Sequence, residues 1–440
     1  MPEPTLIAAP HGQAAVLPKF TWNLVGQAGV ALLGLLLIKL SVSLFSVPAY
    51  GAASLLLGLH AFARGLALNP ILLLAIYATP REGQLRGKGW IYETTNRAIG
   101  LVGLLTLPLL ALAAWSMRSA TGVWGIAMGL ILAILWLDAI KTARLNLLHC
   151  NDQAKRFAFW TLLDAAVKPG VVLLLAWAFP SRGPLLLLTG HMVASALLLS
   201  LTHLDSDIRK LSLDRVPGAA PVPSTVGWLK THAGFLLPLV GLGGVAWVTG
   251  VGDRYLVNFF LGTKSAGLYI GIYAIFASPF LVLNSVFLLT LRPTLMRLQG
   301  QGLDQQWQRV HRQGMLAMGG CALLLALGLH LFRSQYTGLL LAPAYAVALG
   351  TAPGILAGNA VQSVGTFLEL SFFLRNRIQL TLLKQAFGSV AALGLAGFAI
   401  PRWGLQGASW ACLGYALLEL TIGATLLAWS ATTPDPSHTP

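Results

Sequence analysis

The chain has 440 residues, of which 56% are hydrophobic and only 10% charged. Soluble domains run near 25% charged, and the mean hydropathy here is +0.73, so a soluble enzyme or a nucleic-acid-binding domain is excluded in favour of an all-α polytopic membrane protein. Lys and Arg outnumber Asp and Glu by 29 to 14, and in a membrane chain that excess reads as loop charge that sets topology, with no nucleic acid implied.

A helix crosses a bilayer with about 20 apolar residues. Such runs fall at residues 22–45, 52–78, 98–117, 123–147, 157–179, 184–201, 233–259, 266–291, 315–332, 343–374, 380–400 and 404–429, which predicts twelve spans. The apolar run 24–38 has the length of a signal-peptide core, but the spans behind it argue for an uncleaved first helix.

The loops between the runs alternate in charge. One set of alternate loops holds 20 Lys and Arg, among them Lys141, Arg144 and Lys384; the other holds only Arg118, Arg182, Lys264, Arg333 and Arg402. By the positive-inside rule this places both termini in the cytoplasm. The expected division is a cytoplasmic tail over 1–21, a first lobe of six spans over 22–201, a linker over 202–231 that contains RVPGAAPVPS, a second lobe over 232–429, and a tail over 430–440.

Lys39, Arg64, Lys168 and Arg254 are left within spans. A cation at the centre of a membrane helix costs on the order of 2.5–3.5 kcal/mol, and the usual relief is a partner or a water-filled cavity. Lys39 lies past the middle of its span and can snorkel to the interface. Arg64 has no acid three or four residues away, which favours a cavity role. Lys168 has Asp164 one turn earlier, so pairing and transport stand level; Pro169 and Gly170 behind it could form a hinge. Arg254 diverges by about 100° from the adjacent Asp253 and shares its own face with Asn258, leaving substrate contact or an interhelical ion pair.

Asp253, Asp164 and Glu369, with Glu419 and Asp138, are candidates either for binding a coupling ion or for pairing with these cations. Asn69, Asn258 and Gln362 could meet sugar hydroxyls or join helices. The three cysteines, Cys150, Cys321 and Cys412, have no metal-ligand spacing. No nucleotide-binding or metalloprotease motif is present, so neither a cofactor nor a catalytic residue is expected.

Lys39 and Arg254 lie 215 positions apart, and Gly51 and Gly267 lie 216 apart. Six spans per half makes such a repeat parallel, about an axis along the membrane normal. Three stretches then carry a family resemblance: Pro48-Ala-Tyr-Gly51 leading to Arg64 and Asn69; Gly252-Asp-Arg254-Tyr-Leu with Gly262 and Gly267-Leu-Tyr269; and Pro401-Arg-Trp-Gly404-Leu-Gln-Gly407. Together they resemble the O-antigen and exopolysaccharide repeat-unit flippases of the multidrug/oligosaccharidyl-lipid/polysaccharide (MOP) exporter superfamily.

The resemblance implies two six-helix lobes around a central cavity in the bacterial cytoplasmic membrane. It implies a lipid-linked oligosaccharide on undecaprenyl pyrophosphate as substrate, moved by alternating access. Its partners would be membrane lipids and other polysaccharide-assembly membrane proteins. A phosphate-rich headgroup suits Arg, which forks onto phosphate, and Lys, which acts as a point charge. Two rivals remain: a drug/cation antiporter of the same superfamily, and a membrane polymerase or glycosyltransferase acting on the same lipid.

Overall fold

The computed structural model describes residues 16–116, 124–151, 153–179, 183–216, 223–374 and 377–432. Most of both expected tails, and the loop cations Arg118, Arg182 and Arg375, lie outside them. The described residues form helices and short connections, with no strand among them.

The first half begins with α1 (Val16–Leu44) and α2 (Val47–Ala63), a π-helical turn (Arg64–Leu68) and α3 (Asn69–Arg86). It continues with α4 (Lys88–Ser116), α5 (Trp124–Cys150), α6 (Ala154–Ala178) and α7 (Pro184–Leu204). Two short helices follow, α8 (Ser206–Leu213) and α9 (Thr225–Thr231). The second half holds α10 (Ala233–Gly300), α11 (Asp304–Leu331), α12 (Arg333–Leu340), a 3-10 turn (Pro343–Thr351), α13 (Ala352–Leu374) and α14 (Ile378–Thr432).

Among the described residues, nine helical stretches are long and apolar enough to cross a membrane. Two of them are double. At 1.5 Å per residue the 68 residues of α10 would reach about 100 Å, far beyond a bilayer. The helix folds back at Gly262, whose φ of 81° belongs to the left-handed region that glycine tolerates. α14 does the same at Gly404, φ 57°. Those two pairs of arms, with the 29-residue α4, bring the architecture to about twelve spans in two lobes.

The π turn has a local cause. Pro70 has no N–H to donate, so the backbone N–H of Asn69 reaches five residues back to the carbonyl of Arg64. This widens the helix at Arg64. Pro169 does not act this way: α6 runs through it without interruption, so the expected hinge is not a break in this structure.

The lobes meet where α2 packs along α10. Tyr255 Oη donates to the carbonyl of Leu55 (2.7 Å) and Trp247 Nε1 to that of Gly58 (2.8 Å). Glycines let the backbones touch. A Cβ at Gly51 would stand 2.6 Å from the carbonyl of Thr263 and 2.8 Å from the nitrogen of Gly267. A Cβ at Gly243 would collide with the carbonyl of Gly65. Small residues give membrane helices this closeness, since lipid supplies no hydrophobic drive between them. At the Gly51 end one apolar core joins the lobes, with Phe45, Tyr50 and Leu55 packed among Tyr269, Phe276, Tyr345 and Tyr415.

The connecting segment is docked to the first half. The backbone N–H of Gly89 donates to the carbonyl of Asp214 (3.0 Å), Arg215 pairs with Glu93 (2.8 Å), and Trp228 is buried edge-on against Trp90.

Gly243→Val is expected to destabilise the protein by about 1–3 kcal/mol through overpacking against the Gly65 carbonyl. Gly250→Val, where nothing lies within 4 Å of the added Cβ, should have little effect; thermal unfolding in detergent compares the two.

Candidate functional site

The intramembrane charges fall into three groups. The first is a cluster in the first lobe, built by the π turn, α5, α6 and α7. Asp138 and Lys141 sit one turn apart on α5 and pair at 2.7 Å. Lys141 also pairs with Asp164 of α6 at 2.8 Å, and Asp164 pairs in turn with Lys168 at 3.1 Å. Ser195 of α7 donates to Asp138 (2.7 Å). His60 Nε2 lies 3.8 Å from the same carboxylate.

The loop assignment of Lys141, Arg144 and Lys384 is corrected here. All three lie inside helices and are buried. All three already stand inside the apolar runs 123–147 and 380–400, near their ends, and a loop count claims them for that nearness; the helix holding Lys141 and Arg144 runs on to Cys150. Arg144 is held by Tyr92, the Leu199 carbonyl and Thr202 at 2.9, 2.9 and 3.3 Å. Lys141 is the buried hub of two carboxylates.

Arg64 stands at the edge of this cluster. Its guanidinium is 3.7 Å from Asp138 and donates one hydrogen bond, to Thr142 Oγ1 (3.1 Å). The side chain is 31% exposed, against 4% for Lys141. A guanidinium has five N–H donors, so most of this one's capacity is open to a ligand. Leaving His60 aside, Arg64, Lys141 and Lys168 exceed Asp138 and Asp164 by one positive charge.

The second group is Arg254 on the first arm of α10. Asp253 is fully engaged: its Oδ2 accepts from Tyr269 Oη (2.6 Å) and its Oδ1 from the backbone N–H of Arg254 (2.8 Å). The Arg254 side chain makes no ion pair or hydrogen bond with any described residue. Its guanidinium lies over the Tyr273 ring, 5.0 Å from the centroid, and its Nε is buried without a partner. The interhelical salt bridge that would have made it structural is absent among the described residues. Cation–π contact offsets part of the cost of burial and leaves the in-plane donors free.

The third group is in the second lobe. Lys384 on α14 pairs with Glu369 of α13 at 2.7 Å and lies 3.8 Å from Glu419 on the other arm of α14. Gln385 also donates to Glu369 (3.3 Å). Glu419 is 6% exposed, and its Oε1 has no hydrogen-bond partner. Two acids against one lysine give an excess of one negative charge. Sequence reasoning missed Lys384 because it follows the basic stretch at 375–377. A signal was available: Lys384 lies 216 positions after Lys168, the offset that relates Gly51 to Gly267.

The remaining candidates are dispersed. Lys39 is exposed and without an ion pair among the described residues, five residues or about 8 Å from the end of α1. The side-chain carbonyl of Asn258 accepts from Thr263 (3.0 Å) and so braces the turn at Gly262. Asn69 closes the π turn through its backbone, and Gln362 lies half-buried on α13.

Depth separates the two arginines. Gly51 touches Thr263 and Gly267, so the start of α2 and the bend of α10 lie at one level. Arg254 is eight residues, or about 12 Å, from that bend, and Arg64 is 17 residues, or about 26 Å, from Val47. Both stand on the elements that form the seam between the lobes.

No family model and no curated protein matches the chain. Solved structures do. An inward-facing multidrug resistance MATE family transporter of the MOP superfamily aligns with a TM-score of 0.67 at 14% identity, covering 92% of this chain and 96% of that one. The lipid II flippase MurJ in an inward closed conformation gives 0.67 at 10% identity, covering 95% and 88%. A MOP superfamily transporter from Pyrococcus furiosus, described as having a binding pocket of reverse polarity, gives 0.63 at 13% identity, covering 95% and 94%. At these identities the likeness is one of fold: this multi-pass membrane chain folds as MOP superfamily transporters do.

Proposed function

We propose that the chain is a flippase that carries an undecaprenyl-pyrophosphate-linked oligosaccharide across the bacterial cytoplasmic membrane, for polysaccharide assembly, with both termini cytoplasmic. The observation that carries this reading is Arg254: a cation inside a membrane helix whose side chain makes no salt bridge and no hydrogen bond with any described residue, its charge balanced only at longer range by Asp253. Such a group is costly unless it meets an anion or water during the working cycle. A pyrophosphate supplies the anion and enough oxygens to take its donors.

Arg64 and Arg254 act as two stations at different depths on one seam. Arg64 takes the headgroup near the cytoplasmic side, with Lys168 beside it. Arg254 receives it nearer the Gly51 end as the lobes rock, while the lipid tail stays in the bilayer. Lys39 and the side chains of Asn69, Asn258 and Gln362 are weaker contributors. Glu419 is the proposed coupling group: its unpartnered oxygen can hold a proton, and Lys384 is committed more closely to Glu369.

The acidic excess around Glu419 also favours a second reading, a drug/cation antiporter, whose substrate would be positive. The two part on the cationic side chains, which an exporter of cations does not need.

In proteoliposomes, Arg64→Ala and Arg254→Ala are expected to abolish flipping of a fluorescent polyprenyl-pyrophosphate oligosaccharide while abundance stays normal. Undiminished flipping in both would sink the reading, and proton-driven efflux of a cationic dye that survives both substitutions would support the antiporter instead. Lys141→Met should behave differently. It strands Asp138 and Asp164 in the interior and is expected to cost about 3–5 kcal/mol, seen as loss of protein from the membrane.

Glu419→Gln should leave headgroup binding intact and remove the response of flipping to an imposed pH gradient. A full response in this variant excludes Glu419 as the coupling group.

A further inference from the structure

The second arm of α10 and helix α11 enclose a groove of about 390 Å³ on the second lobe. Val286, Phe287, Leu291, Val310 and Ala317 make it apolar, with Thr290 and Gln313 among its walls. Thr290 is occupied by its own helix, where its hydroxyl donates to the carbonyl of Val286 (2.7 Å). The Gln313 side chain is exposed and bonded to no described residue.

The charge around one end of the groove has a single sign. Residues 292–312 hold four arginines and one acid, Asp304. Helical spacing continues the lining positions 310, 313, 314 and 317 back through Arg309, one turn before Gln313. On α10 it continues 286, 287, 290 and 291 forward toward Arg297. Arg297, Arg309 and Arg312 are exposed, and none pairs with a described residue. This is the end that the loop charges expect at the cytoplasmic leaflet, where anionic lipids lie.

We propose that this groove binds an anionic phospholipid of the surrounding bilayer, an acyl chain between α10 and α11 and the headgroup phosphate at Arg309 and Arg312 with Gln313 donating to it. Charge complementarity favours this occupant over a neutral lipid, because an apolar groove alone would take either. The site is separate from Arg64 and Arg254 and does not depend on what the chain transports.

The test reconstitutes the full chain in phosphatidylcholine bilayers doped with phosphatidylglycerol and counts retained lipids by native mass spectrometry. Arg309→Gln and Arg312→Gln are each expected to lower the preference for phosphatidylglycerol over phosphatidylcholine about fivefold. Ala317→Trp, which fills the groove, should remove the retained lipid of either kind, and Arg402→Gln should change nothing. An unaltered preference in the Arg309/Arg312 double variant overturns the proposal, and these exposed positions decide it even where Ala317→Trp unfolds. Displacement of phosphatidylglycerol by added polyprenyl phosphate at low mole fraction would also overturn it, by assigning the groove to a substrate tail.

Discussion

A charge inside a membrane must be paired or wetted, and that requirement orders this structure. Lys141, Lys168 and Lys384 are paired with Asp138, Asp164, Glu369 and Glu419 on neighbouring helices. Lys39 lies close enough to a helix end to reach the interface. Arg64 is only half satisfied, and Arg254 rests on an aromatic ring with its donors unused. The cost of charge is thus met in the body of each lobe and left open on the seam between them. An arrangement that only had to be stable would have closed it there too.

The seam also brings backbones into direct contact. Gly51 against Gly267, and Gly65 of the π turn against Gly243, let the backbones of the two lobes meet directly at two points. Between these crossings Tyr255 and Trp247 hold α2 through hydrogen bonds to Leu55 and Gly58, so rocking of the lobes has to release or carry those two side chains. The two buried clusters carry opposite formal excess charge, positive around Arg64 and negative around Glu419. That asymmetry suits an anionic cargo on one side and a proton on the other, and it grows from a repeat that still places Lys168 and Lys384 on corresponding helices.

Hydropathy made the spans legible, because twenty apolar residues in a row have few other uses. Gly262 and Gly404 were legible as turns between apolar runs, and the backbone leaves helical φ/ψ at both. The charge clusters were not. Lys141, Arg144 and Lys384 lie inside the apolar runs 123–147 and 380–400 but near their ends, and a charge count by loops assigns such residues outward, although the structure buries them. The Arg64–Asp138 contact joins residues 74 positions apart, and local spacing carries no trace of it. Asp253 and Arg254, adjacent in sequence, look like a pair; helix geometry separates their side chains, and the structure gives Asp253 to Tyr269.

The central claim is that Arg254 is held without a salt bridge or hydrogen bond so that it can meet a pyrophosphate. Equilibrium binding of a fluorescent polyprenyl pyrophosphate to the chain in neutral-lipid nanodiscs tests it most directly. Loss of a charge-assisted hydrogen bond is worth about 1.5–3 kcal/mol, so Arg254→Gln should weaken binding by roughly ten- to a hundredfold. Arg254→Lys should keep part of the affinity, as a point charge without the fork. Equal affinity in wild type and Arg254→Gln would contradict the account.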